Sequence, residues 1–224
     1  MHILALESSG KWGSVAAAIG PKLVGQRNLN PAQRNAQSLA AGIRALVEGI
    51  GWRTADIELV AVTKGPGSFT GLRVGVVTAK TLAYSLGARV IGLDTLEVIA
   101  AQARCDLPRL SVAMDAQRGA VFAATFEGGA PGEWQKIDGP RLLDDEAWLT
   151  GLKPGMASSG PALARLASRL PAGITLIDEA DRAPRADAVA QLAWVRHMQG
   201  AYDDVWTLAP LYMRKSAAEE KLGL

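Results

Sequence analysis

Two short apolar segments, each ending in a carboxylate and a tight turn, recur about a hundred residues apart in this 224-residue chain. Leu4-Ala5-Leu6-Glu7-Ser8 is echoed by Val112-Ala113-Met114-Asp115-Ala116, and an Ala/Val-rich return segment follows each. A strand that hands one acid to a hairpin, twice, predicts a tandem duplication of one α/β unit. The element order agrees. Strand patterns over 3–7, 14–19 and 22–29 form an antiparallel meander joined by short turns. Helical spacing over 35–50, a strand over 58–64, a helix over 70–86 ending at Gly87, a strand over 89–93 and a helix over 95–104 complete the first half. The second half begins again with strands over 110–115, 120–126 and 134–137. It continues with a short helix over 144–149, a strand near Met156, a helix over 161–169, a strand over 174–177 and a helix over 184–198. The predicted division is 1–104 and 105–224, each a mixed sheet flanked by helices.

Composition narrows the function classes. Apolar residues make up 49%, enough to bury a core, and Lys+Arg of 24 against Asp+Glu of 22 leaves a net charge of +2. Without a basic run longer than two residues, strong binding of nucleic acid by this chain alone is not expected. The single cysteine, Cys105, excludes an intrachain disulfide. The opening Met1-His2-Ile3-Leu4-Ala5-Leu6-Glu7 reads as a strand rather than a signal peptide. No apolar run approaches the roughly 20 residues of a membrane span, so the expected location is the cytoplasm and no membrane partner is expected.

Catalytic side chains are sparse. His2 and His197 sit at opposite ends, no histidine pair has metal-ligand spacing, and there is no cysteine pair, so no metal site is expected. The loop Gly65-Pro66-Gly67-Ser68-Phe69-Thr70-Gly71 is not a P-loop, because five residues separate Gly65 and Gly71 and Leu72-Arg73 follows. Gly65 and Gly67 suit positive φ, and Ser68 or Thr70 suits a helix cap. In the helix beyond, Leu72, Val76, Ala79, Ala83 and Leu86 form one stripe, and Val74, Val77, Thr81 and Tyr84 form a second beside it. Small Gly75 and Ala79 would admit a close neighbour. A helix apolar over so much of its surface is either wholly buried or shared with a partner.

Paired halves with an acid on each first hairpin resemble the actin, sugar-kinase and heat-shock-ATPase superfamily, in which such hairpins clamp nucleotide phosphates and metal. Glu7 and Asp115 alone fit equally the capping of their own turns. A more specific resemblance lies in the order of four segments. Ile3-Leu4-Ala5-Leu6-Glu7-Ser8-Ser9 comes first, then Gly65-Pro66-Gly67-Ser68-Phe69-Thr70-Gly71-Leu72-Arg73-Val74-Gly75. Asp115-Ala116-Gln117-Arg118-Gly119 follows, and Pro210-Leu211-Tyr212-Met213-Arg214 closes the series. Together they resemble the bacterial TsaB family, also called YeaZ.

That resemblance implies a non-catalytic subunit for threonylcarbamoyladenosine modification of tRNA. It would pair with a catalytic TsaD-like subunit through helices of the first half and act beside a TsaE-like ATPase. A homodimer is a second pairing, and tRNA is met only through the complex. No cofactor is expected on this chain, with ATP and metal held by partner subunits. Glu7, Ser8, Ser9 and Asp115 become a vestigial nucleotide site. Leu39, Ile43 and Leu46 on the first helix, and Leu72, Arg73, Val76, Ala79 and Ala83 on the second, become candidate partner contacts, with core packing as the alternative for each. The chain departs from TsaD-like proteins, which carry a His-x-x-x-His motif on the first helix. Here Arg34-Asn35-Ala36-Gln37-Ser38-Leu39 has no histidine, and Glu7-Ser8 replaces the usual Asp-Thr. The rival reading is a self-sufficient nucleotide-dependent transferase or ATPase using Glu7 and Asp115.

Overall fold

The computed structural model describes residues 1–30, 35–128 and 133–214, so the side chain of Asn35 and its place in the lost histidine motif lie outside what is described. The chain forms two compact units, Met1–Val98 with Pro184–Pro210, and Ile99–Ala183 with the segment from Leu211.

In the first unit, β1 (His2–Glu7), β2 (Ser14–Ile19) and β3 (Lys22–Asn28) form the antiparallel meander. After α1 (Asn35–Gly49), β4 (Leu59–Gly65), α2 (Phe69–Leu86) and β5 (Arg89–Asp94) extend the sheet in parallel. The strand order is β3-β2-β1-β4-β5. A sheet covered on both faces needs strands that are apolar at every position rather than at alternate ones. β1 shows why: Leu4 and Leu6 face a core shared with Leu39, Ile43, Leu46 and Val76, while Ile3 and Ala5 face a second core with Val189 and Ala193.

The second unit follows α3 (Thr95–Gln102). β6 (Arg109–Gln117), β7 (Ala120–Glu127) and β8 (Gln135–Asp144) form a meander. After α4 (Asp145–Gly151) comes β9 (Ala157–Ser159), then α5 (Leu163–Leu166) and β10 (Thr175–Leu176). The order β10-β9-β6-β7-β8 repeats the first sheet, with the first strand of the meander at the centre and two parallel strands on its other side. Among the described residues no helix is long and apolar enough to cross a membrane.

Two features differ from the predicted organisation. β8 is ten residues long and runs through Gly139-Pro140 to Asp144, where the predicted strand covered only 134–137. The last helix, α6 (Ala186–Met198), packs on the first sheet rather than the second, placing Ala186, Val189, Ala190 and Ala193 against the β1 and β2 side chains. The serine that opens β2 receives it: Ser14 Oγ accepts the Ala186 backbone N–H at 2.9 Å. The first unit is therefore assembled from both ends of the chain, where the predicted division gave it only 1–104.

Candidate functional site

The end of β1 delivers Glu7 into a fully buried position. Its Oε1 accepts the Ser9 backbone N–H at 2.7 Å and the Ser9 hydroxyl in a short hydrogen bond, and the Thr63 hydroxyl of β4 lies 3.4 Å away. Oε2 has no hydrogen-bond partner among the described residues. Burial outweighs these donors and pushes the carboxyl up to about 7. A carboxylate suited to magnesium or its water would be charged and open to solvent. Glu7 is closed in, and its charged form is disfavoured by its surroundings.

The glycine loop closes the same turn from the other side. Ser68 donates its backbone N–H to Ser9 O at 2.8 Å, and Ser8 Oγ donates to Gly71 O at 2.9 Å. Ser68 is the N-cap of α2 and accepts the Gly71 N–H at 3.3 Å, as its residue type suggests. A Cβ on Gly71 would overlap the Ser8 carbonyl oxygen, and one on Gly75 would overlap Ser8 Oγ. A Cβ on Gly67 would sit 2.5 Å from Ser9 O. The spacing Gly67, Gly71, Gly75 therefore lets the start of α2 rest on the Glu7-Ser8-Ser9 turn. Gly65 and Gly67 also have positive φ, as their type predicts. The hydroxyls of Ser8 and Ser9, the obvious phosphate ligands of the turn, bond within the protein.

The second hairpin caps itself as well. Asp115 Oδ1 accepts the Gln117 N–H at 2.9 Å. Gln117, Arg118 and Gly119 all have left-handed φ, of 63°, 54° and 73°. This tip is braced by Arg214, whose guanidinium donates to Ala116 O at 2.9 Å. Arg165 reaches Asp115 at 3.2 Å and forms a short ion pair with Asp145, holding the Asp145 carboxyl below the usual range through its hydrogen bond. Thr63, Arg165 and the bracing role of Arg214 are not visible in the sequence, since each acts from 50 or more positions away.

The candidate partner contacts require a correction. Leu39, Ile43, Leu46, Leu72, Val76, Ala79 and Ala83 are all buried in the free chain, Val76 to 2% exposure. All but Leu72 belong to the core between the helices and the sheet. The stripe nearest the glycines wins this position because Gly71 and Gly75 allow α2 to approach β1 and the Ser8 turn closely. Arg73 alone of the eight is exposed, stacked 4.8 Å over the Phe69 ring. The second stripe is split: Val74 packs against the core, whereas Val77 is 61% and Tyr84 65% exposed, and Tyr84 meets the 69% exposed Trp206 edge-on at 5.0 Å. Lys80 fixes that tryptophan segment, donating to Trp206 O at 3.0 Å and Leu208 O at 2.9 Å. Beside α2, a groove of about 510 Å³ runs along α1, lined by Arg44, Val47, Trp52, Thr78 and Leu82 among others.

Comparison with known proteins fits this architecture. Residues 30–175, more than half of the chain, match the family model of TsaD, tRNA N6-adenosine threonylcarbamoyltransferase. The Escherichia coli tRNA threonylcarbamoyladenosine biosynthesis protein TsaB is 26% identical over 230 residues, covering 99% of this chain and 98% of that one. The chain belongs to this family, in its TsaB/YeaZ branch. YeaZ from Pseudomonas aeruginosa superposes with a TM-score of 0.81 at 22% identity, over 94% of this chain and 99% of that one. The wider fold class extends to the activator of 2-hydroxyisocaproyl-CoA dehydratase from Clostridium difficile, solved with bound ADPNP. Its TM-score is 0.51 at 10% identity, over 89% of this chain and 97% of the other. A TsaB/YeaZ chain thus keeps the two-sheet plan of such proteins, while its own first turn is packed shut.

Proposed function

We propose that this TsaB/YeaZ-family chain is a non-catalytic subunit for threonylcarbamoyladenosine modification of tRNA, and that it supports a catalytic TsaD-like subunit by pairing with it. The observation that carries this reading is the closed first turn. Glu7 is fully buried with a raised pKa, the Ser8 and Ser9 hydroxyls bond internally, and the α2 glycines occupy the space beside them. Residues so placed build a scaffold rather than a phosphate clamp. ATP and metal are then the business of the partners, a TsaE-like ATPase among them, and tRNA is met in the complex in the cytoplasm. The pairing face is the outward side of α2, Arg73, Val77, Thr81 and Tyr84 with Trp206, continued by the groove along α1. Apolar side chains this exposed, side by side on one helix, favour burial in an assembly.

Co-purification with the TsaD-like protein of the same organism tests the pairing. Wild-type chain should elute with it in a stable complex, and Val77→Asp should elute alone. A wild-type chain that never associates, or that turns over ATP unaided, contradicts the reading and favours the self-sufficient enzyme.

A further inference from the structure

The second unit holds a polar feature that the proposed function does not use. Ser158, Ser111, Thr125 and Asp138 are successive register partners across β9, β6, β7 and β8, so their side chains share one face of the sheet. At the usual strand spacing of about 4.8 Å, the row spans roughly 14 Å. It grades from interior to solvent. Ser158 is fully buried with no partner for its hydroxyl among the described residues, Ser111 is buried, Thr125 is half-buried and the Asp138 side chain is 46% exposed.

A cavity of about 280 Å³ opens over the outer three members of this row, lined by Ser111, Thr125 and Asp138, while Ser158 lies outside its lining. Trp148 of α4 closes one side, its indole N–H donating to Ser111 Oγ at 3.0 Å. Leu152 and Met156 supply apolar wall, and the side chains that would fill the space are small, Ala147 and Gly151 on α4. Arg141 stands at the rim, paired with Asp138 at 2.6 Å. Both members of that pair are largely exposed, so exchanging one for a ligand costs little. Sheet faces covered by helices are normally apolar, so three polar side chains lining one cavity on such a face call for a polar occupant.

We propose that Ser111, Thr125 and Asp138, with the cavity they line, form a binding site for a small polyhydroxylated molecule of monosaccharide size. Hydroxyls both donate and accept, as the side chains of Ser111 and Thr125 can, so a polyol seated over them can match both and reach Asp138 at the rim. The Asp138 carboxylate accepts from two neighbouring hydroxyls at once. The C–H face of a sugar ring suits the Leu152 and Met156 wall.

The test is titration of 15N-labelled full-length chain with ribose, glucose and myo-inositol in turn, each to about 10 mM, following the Trp148 indole N–H. At least one probe should shift that resonance saturably. Asp138→Asn should weaken the response about tenfold or more. Ala147→Phe, on the exposed side of α4, should abolish it without changing the melting temperature. The proposal is overturned if none of the three probes moves the resonance, if Asp138→Asn titrates like wild type, or if the shift survives Ala147→Phe.

Discussion

Gly71 opens α2 directly against Ser8, whose hydroxyl donates to the Gly71 carbonyl at 2.9 Å, and a side chain on Gly71 would overlap the Ser8 carbonyl oxygen. The obstacle is backbone, which cannot rotate away as a side-chain tip can. Gly71→Ala should therefore destabilise the chain by about 3 kcal/mol, as overpacking of a tight contact does. Gly49→Ala is the control. Nothing lies within 4 Å of its new Cβ at the end of α1, so helix propensity alone should stabilise by about 0.5 kcal/mol. Urea denaturation of the two variants beside wild type gives both signs.

Glu7 makes stability depend on pH. Its carboxyl is raised from 4.5 to about 7 by burial. Between those values the folded chain holds a proton that the unfolded chain releases, so stability falls as pH rises through the window. The contribution is fully present below 4.5 and amounts to about 3 kcal/mol. Glu7→Gln, neutral throughout, should melt above wild type at about pH 8 and lose that advantage at about pH 5. Thermal melts across this range check it, and a wild type that gains stability from pH 5 to 8 relative to Glu7→Gln contradicts it.

Neighbouring valines on α2 should behave in opposite ways. Val76 is 2% exposed in the core, so an aspartate there would be desolvated among Leu4, Leu6 and Val62, at a cost of several kcal/mol. Val76→Asp should unfold or aggregate. Val77, 61% exposed, should accept aspartate with a melting temperature near that of wild type, yet lose the TsaD-like partner. Circular dichroism and size-exclusion chromatography separate the two outcomes.

Much of the fold is legible in the sequence, and its limits have physical causes. The meander, the caps of α2 at Ser68 and Gly87, and the repeated hairpins each rest on local chemistry, which a linear pattern records. The direction of α2 is different. Both of its stripes are apolar, so periodicity cannot say which meets the sheet, and the deciding contact is between Gly75 and Ser8, far apart in the chain. α6 presents mostly alanines to β1 and β2, a pattern that would suit either sheet. The self-capping of Glu7 and Asp115 follows from residues two positions away and could be anticipated, whereas the burial that raises Glu7 depends on tertiary packing.

Lys80 offers a subtler test of the exposed aromatic pair. Its ammonium holds the carbonyls of Trp206 and Leu208. Lys80→Met keeps the aliphatic stem and removes these bonds, so it should cost about 1 kcal/mol. It should also weaken pairing with the TsaD-like partner by freeing Trp206 from Tyr84. Trp206→Ala should weaken pairing at least as much with a smaller effect on stability, because that side chain is mostly exposed. Denaturation curves and calorimetric titration with the partner measure the two effects.

Reconstitution of threonylcarbamoyladenosine formation on tRNA, with each protein omitted in turn, tests the supporting role most directly. The account predicts that the TsaD-like subunit and its companions lose product when this chain is left out, and recover it when wild-type chain is restored but not when Val77→Asp replaces it. This chain with ATP and tRNA alone should form none. Product from the chain by itself, or undiminished product in its absence, would contradict the account.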